Sequence, residues 1–183
     1  TIMEEAIGSK ISDYLIKPVN PNQILLSIKK NLENKKLINE KTTSNYQAAF
    51  RSIGMALSDR LDFEDWTEVY QKLVYWELEL ESGSDGVMEE VLPMQKTEAN
   101  SYFAKYVADN YIDWLHDSGD ASLMSPNVIK EKVVPELNEG PLFLIMIDNL
   151  RYDQWKVIAP VLSDLYNIES EEIYCSILPT ATQ

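Results

Sequence analysis

The sequence predicts a mixed fold, with α/β segments at both ends of the chain and an all-helical middle. Residues 2–32 give the pattern of a helix end, a short strand and a second helix. Three apolar stripes with helical spacing follow between residues 46 and 114. From residue 142 the pattern changes to strand, helix and strand, which is typical of the opening of a doubly wound α/β sheet.

The first segment ends in a helix that leaves its domain. Gly8 closes a helix, Ser12–Ile16 reads as a strand that delivers Lys17 to its carboxyl end, and Asn20-Pro21 marks the next helix start. The apolar residues of that helix recur at helical spacing and predict a buried face. They are Ile24, Leu25, Ile28 and Leu32.

The middle segment is predicted to be a three-helix bundle. Asp62 is the expected cap of the second helix, with Asp65 favouring the same terminus. The third helix is expected within residues 87–116. The stripes predict a core rather than a ligand site, and their members are Tyr46, Phe50, Ile53, Leu57 and Leu61; Trp66, Val69, Leu73, Trp76 and Leu80; and Ala99, Tyr102, Tyr106 and Trp114.

The last segment begins with six consecutive apolar residues, 142–147. This run is too short for a buried helix and predicts a strand that is covered on both faces. A helix over 154–166 and a second strand within 168–178 should follow. Ligands bind at the carboxyl ends of such strands, where Asp148, Thr180 and Thr182 lie.

Composition narrows the classes of function. Thirty acidic against sixteen basic residues give a formal net charge of −14 over 183 residues, which argues against direct DNA binding and against anionic membranes. No run approaches the roughly 20 apolar residues of a membrane span. The single cysteine, Cys175, excludes an intrachain disulfide and fits a buried thiol in a reducing, cytoplasmic compartment. The chain starts in mid-helix and stops after a strand, so we expect an interior fragment.

From the residues alone, the chemical signals are weak. Lys17 could contact a phosphoryl group, although a solvent-facing lysine before a turn is the more frequent case. A carboxylate at Asp148 and a hydroxyl at Thr180 or Thr182 could hold a divalent metal and supply a nucleophile. From the residues alone, structural roles as turn and cap residues are the favoured interpretation of the same pattern.

Two stretches resemble known families. Ala6-Ile7-Gly8, Asp13 to Pro18 and Gln23-Ile24-Leu25 resemble the C-terminal part of a flavodoxin-like response-regulator receiver. This resemblance implies that Lys17 contacts the phosphoryl group and that the complete receiver binds magnesium. The family's phosphoacceptor aspartate and acidic metal-binding pair have no counterpart in this chain.

The second stretch, Ile147 to Trp155 followed by Ile177 to Gln183, resembles the start of a PglZ domain of the alkaline phosphatase superfamily. The resemblance implies that Asp148 is a zinc ligand and that Thr182 is the metal-bound nucleophile, with Thr180 as the fallback. Asn149 replaces the glycine common in relatives, and Arg151 and Asp153 are expected to brace the loop. The remaining metal ligands have no counterpart here, so we expect the fragment itself to be catalytically silent.

A receiver joined through three helices to a PglZ domain is similar to PorX-type response regulators of Bacteroidetes. The resemblance includes the connector, in Asn45-Tyr46-Gln47, Lys72 to Glu77 and Met94 to Asn100. It assigns residues 1–35 to the C-terminal part of the receiver, residues 36–136 to the helical connector and residues 137–183 to the N-terminal part of the PglZ domain. It implies phosphorylation by a sensor histidine kinase, zinc-dependent phosphodiesterase activity and control of type IX secretion. We expect phosphorylation to favour a homodimer. The alternative is a non-enzymatic adaptor that docks the secretion machinery or a sigma factor.

Overall fold

The computed structural model describes residues 15, 17, 19, 21–83, 90–116, 123–138 and 140–180. Helices dominate this part of the chain. Three long helices, α1 (Pro21–Ala56), α2 (Phe63–Gly83) and α3 (Val91–Leu115), are followed by a series of short helical turns and by α4 (Tyr152–Leu162). The short turns are Ser125–Asn127, Ile129–Val133 and Pro135–Asn138. No helix in the described ranges has the length and apolar character needed to span a membrane.

Helix α1 has 36 residues, so it is about 54 Å long. Its second half packs on α2, whereas its first half is exposed, with Ile24 exposed by 42% and Leu25 by 65%. The predicted buried face over Ile24, Leu25, Ile28 and Leu32 is therefore wrong for this structure. The apolar spacing shows which side chains share a face of the helix, but it does not show whether anything covers them.

The three-helix prediction for the middle of the chain is confirmed. Tyr46 and Ile53 of α1 are 0% and 1% exposed and pack with Trp66, Leu73 and other residues of α2 and α3. Asp62 and Asp65 bond reciprocally across the start of α2: the Asp65 amide donates to Asp62 Oδ1 (2.9 Å) and the Asp62 amide donates to Asp65 Oδ2 (3.1 Å). Two stripe members are exposed rather than buried, Phe50 by 38% and Tyr102 by 41%.

A buried glutamine fixes the register of α3 against α1. Gln95 is 2% exposed, and its Nε2 donates to the Phe50 carbonyl at 2.9 Å. The Tyr46 hydroxyl donates to Gln95 Oε1 at a longer 3.4 Å. Since a buried amide without partners costs about 1–3 kcal/mol, these bonds favour one sliding position of the two helices. A partly exposed ion pair between Lys96 Nζ and Glu77 Oε1 (2.5 Å) also joins α3 to α2.

The C-terminal segment matches its prediction only in part. The helix is present as α4, but residues 142–147 form no hydrogen-bonded strand among the described residues, and their side chains are exposed, Phe143 by 89%. Among the residues that the structure describes, one isolated parallel bridge is present, and it pairs Cys175 with Met124. The strand–helix–strand unit is therefore not confirmed, because an extended apolar run becomes a strand only when another chain segment hydrogen-bonds to it.

The predicted receiver segment falls largely on residues 1–14, 16, 18 and 20, which lie outside the described residues. Lys17 is described and is exposed, in a bend ahead of α1. The phosphoryl-contacting role of Lys17 thus stays a prediction.

Candidate functional site

Asp148 lies in a tight turn that leads into α4. The carboxylate oxygen Oδ1 accepts a hydrogen bond from the Asn149 amide at 2.9 Å, and Asn149 itself has φ 57°. This is left-handed backbone, which glycine adopts without strain and which asparagine tolerates better than most other residues. The asparagine therefore keeps the backbone shape that a glycine would give, and Asp148 stays exposed at the surface.

The start of α4 is braced as the sequence predicts. The Arg151 guanidinium binds the Asp153 carboxylate through two bonds, Nε to Oδ1 (2.9 Å) and Nη2 to Oδ2 (2.5 Å). The hydrogen bond from Arg151 lowers the pKa of Asp153 below its ordinary value. The Arg151 amide donates to Gln154 Oε1 at 3.0 Å, which satisfies a donor before the first turn of the helix.

Three side chains on one face of α4 bind a single carboxylate. The Tyr152 hydroxyl (2.7 Å) and the Lys156 ammonium (3.0 Å) donate to Glu171 Oε1, and the Trp155 indole nitrogen donates to Oε2 (2.6 Å). Burial opposes ionisation of Glu171, but the bonds from Trp155, Tyr152 and Lys156 outweigh it and hold the pKa of its carboxyl below the ordinary value. Glu171 thus joins α4 to the segment that leads to Thr180.

Replacing Glu171 by Gln is expected to lower the free energy of unfolding by about 1 kcal/mol near neutral pH, because a partly exposed, charge-assisted cluster is lost. A carboxyl whose pKa is lowered by folding stabilises the fold above its unfolded pKa of about 4.3, and this contribution is lost as the pH falls through its folded pKa. The difference in the free energy of unfolding between wild type and Glu171→Gln should therefore narrow as the pH falls below the unfolded pKa and close below the folded pKa. Urea unfolding at a series of pH values measures it, with Glu169→Gln as the control for an exposed carboxyl on the same segment. A gap that persists at acidic pH would contradict the assignment.

The segment before Thr180 is held by residues of the preceding helical region. The Cys175 amide donates to the Leu123 carbonyl (2.8 Å), and the Ser125 amide donates to the Cys175 carbonyl (2.8 Å). The Leu178 amide donates to the Tyr111 hydroxyl of α3 at 2.7 Å. A cis peptide bond joins Leu178 to Pro179, and Thr180 follows in an exposed position.

Helix α2 contacts α4 directly. The rings of Tyr70 and Tyr152 lie 5.5 Å apart at an angle of 39°. Burial, and then the nearby carboxylates of Asp153 and Glu77, raise the pKa of Tyr70, while Arg151 opposes this rise. Tyr70 therefore lies beside the brace that follows the Asp148 turn.

The structure describes two of the three predicted site residues of the PglZ segment. Asp148 and Thr180 are both exposed in the described residues, whereas Thr182 lies outside them. The part of the chain that the structure describes holds no group of three or more His, Cys, Asp or Glu side chains that could bind a metal. One carboxylate and one hydroxyl do not amount to the usual four ligands of a tightly held zinc, so the described residues do not by themselves fit a complete zinc site.

Sequence reasoning missed the residues that support the site. The spacing of Tyr152, Trp155 and Lys156 places three donors on one face of a helix, and this signal could have been read from the sequence. The partners Glu171, Tyr111 and Tyr70 are distant in sequence, so no local pattern marks them.

Comparisons with known families agree with this organisation. Residues 36–115 match the PorX response regulator linker domain, which spans the second half of α1 together with α2 and α3. Residues 128–183 match the BREX system PglZ alkaline phosphatase-like domain. These two matches, in this order along the chain, are the connector and the PglZ domain of a PorX-type response regulator. No curated protein gives a significant match.

The residues of the site described above are divided between the two matches. Asp148, α4, Glu171 and Thr180 lie within the PglZ match. Tyr70 and Tyr111 lie within the linker match. The contacts of these two tyrosines with Tyr152 and Leu178 therefore join one domain to the other.

Proposed function

We propose that this chain belongs to a two-component response regulator whose PglZ output domain is a zinc-dependent phosphodiesterase that regulates type IX secretion. The observation that carries the proposal is the tandem of the linker and the PglZ domain. Within the PglZ match, Glu171 joins α4, which follows Asp148, to the segment that leads to Thr180. The substrate class is a phosphodiester of the oligonucleotide type.

The roles of the individual residues follow from their chemistry. Asp148 offers a carboxylate oxygen, a ligand type that divalent zinc accepts. Thr182 is the proposed nucleophile, with Thr180 as the fallback, since a hydroxyl can attack phosphorus once its proton is removed. The other metal ligands have to come from outside the described residues.

Signalling would begin in the receiver. A sensor histidine kinase would phosphorylate a receiver aspartate in the presence of magnesium, and Lys17 would contact the phosphoryl group. The phosphorylated state would favour a homodimer and thereby shift the population of connector arrangements. The exposed first half of α1, which leads from this end of the chain into the bundle, is the physical link for such a shift.

A non-enzymatic adaptor is the second candidate function. The net charge of −14 favours a basic protein partner, such as a component of the secretion machinery or a sigma factor, because unlike charges speed association and align the two surfaces. In this alternative the connector and the PglZ-like domain would bind that partner without turnover.

The proposal is tested by the zinc content of Asp148→Ala in the intact gene product. Changing an outer-sphere partner of a metal ligand already weakens binding by about 10- to 100-fold, so loss of the ligand itself should weaken zinc binding by at least about 100-fold. Metal content measured by mass spectrometry, together with zinc-dependent hydrolysis of a generic phosphodiester, gives the readout.

The matched control is Asp164→Ala, which removes an exposed aspartate just after α4. It should retain its zinc and its activity. Unchanged zinc in Asp148→Ala would remove Asp148 from the site, and wild-type protein without any turnover would favour the adaptor.

A further inference from the structure

Backbone pairing with the residues that follow α3 holds the segment from Cys175 to Leu178 in place. Met124, 3% exposed, forms a parallel bridge with Cys175. The backbone bonds on either side of it, Cys175 amide to Leu123 carbonyl and Ser125 amide to Cys175 carbonyl, are both 2.8 Å long. The segment that leads to the candidate nucleophile thus pairs with residues 123–125.

Two side chains extend this attachment toward Thr180. The Ile177 amide donates to Ser125 Oγ at 3.1 Å. The Leu178 amide donates to the Tyr111 hydroxyl at 2.7 Å, whereas the return bond from that hydroxyl to the Leu178 carbonyl is a long 3.5 Å. The amide bond to Tyr111 is therefore the stronger of the two, and it lies two residues before Thr180.

The Asp148 side of the site rests on the same helical region. Tyr152, four residues after Asp148, packs against the ring of Tyr70 of α2 at a tilted angle, and it also donates to Glu171. Both segments that carry candidate site residues are thus attached to the linker helices, one to α2 and the other to α3.

Apolar packing alone does not fix the segment in place. An open apolar cleft of about 370 Å³ lies between the segment and the linker helices. Its walls include Trp66 and Tyr70 of α2, Phe103 of α3, and Ile173 and Cys175 of the segment. Because close packing is incomplete there, the directional bonds to Leu123, Ser125 and Tyr111 set the register.

We propose that Tyr111 is a positioning residue through which the linker sets the placement of Leu178, and with it Thr180, relative to Asp148. The inference rests on the proposed phosphodiesterase function, and it adds the residue by which the linker acts on that site. Misplacement of a reacting group by about 1 Å can cost a factor of 100 in rate. A hydrogen bond that positions the segment before Thr180 can therefore change the rate of catalysis.

The test compares Tyr111→Phe with wild type in the intact, zinc-loaded protein. The substitution removes one hydroxyl and leaves the ring. We expect kcat for a generic phosphodiester to fall about 3- to 10-fold, the worth of one hydrogen bond, with KM, bound zinc and the unfolding midpoint unchanged. Amide hydrogen exchange at Leu178 should accelerate by about the same factor. The control is Tyr102→Phe, which removes a hydroxyl from an exposed tyrosine of the same helix and should change none of these values.

Unchanged exchange at Leu178 overturns the inference, as does accelerated exchange with unchanged kcat. A fall in kcat that is accompanied by loss of zinc also overturns it, because the effect would then lie in metal binding. If the wild type hydrolyses no phosphodiester, the proposed function fails separately. In that case, faster exchange at Leu178 in Tyr111→Phe still supports anchoring of the segment by the linker, and unchanged exchange overturns it.

Discussion

Replacing Thr182 by Ala in the intact gene product is expected to lower phosphodiester hydrolysis by on the order of 10³-fold or more. Removal of a hydroxyl nucleophile from an enzyme that forms a covalent intermediate costs at least this much, because no neighbouring group provides the same attack. Thr182 is itself a proposed metal ligand, but zinc should remain bound because the Asp148 carboxylate and the remaining protein ligands are unchanged. Steady-state kinetics and metal analysis of the same preparation measure both quantities.

Two matched variants decide between the hydroxyls. Thr180→Ala removes the same group two residues earlier and should stay within a few-fold of wild type, whereas Thr182→Ser keeps a hydroxyl and should retain measurable turnover. If Thr180→Ala is the inactive variant, the nucleophile is the fallback residue. Equal turnover in wild type and in both alanine variants would remove the nucleophile assignment altogether.

The helical part of the fold was predictable from local sequence. Apolar side chains such as Ile53, Trp66 and Leu73 repeat at the helical period, and the structure buries them together. The reciprocal bonds between Asp62 and Asp65 were also predictable, because a cap needs only residues close in sequence. Local periodicity determines these features, so one sequence is enough to find them.

The remaining features depend on distant partners. The apolar runs at Ile24–Leu32 and Leu142–Ile147 indicate surfaces that prefer burial, but they contain no information about what covers them, and both are exposed here. The same limit applies to Gln95, whose burial depends on the Phe50 carbonyl, and to Leu178, whose amide meets Tyr111. Asp148 and Thr182 were recognised through family resemblance, because a carboxylate and a hydroxyl alone do not distinguish a metal site from turn residues.

The packing of the linker core gives the second large expected effect, for Ile53→Ala. Ile53 is 1% exposed and belongs to the cluster that joins α1 to α2 and α3. Its truncation removes buried methyl groups and leaves a cavity that close-packed neighbours can only partly fill. We therefore expect a loss of about 2–4 kcal/mol in the free energy of unfolding. Urea unfolding followed by the helical circular dichroism signal measures this loss.

The matched control for Ile53→Ala is Met55→Ala, two residues further along α1, where the side chain is 70% exposed. Its effect should stay within about 0.5 kcal/mol, since little apolar surface is lost from the core and alanine is a good helix former. Equal losses in the two variants would mean that the stability of α1 depends on its own helix propensity rather than on tertiary packing. The larger loss at Ile53 would instead show that the linker is held as one packed unit, which Tyr70 and Tyr111 need in order to hold α4 and Leu178 at fixed positions.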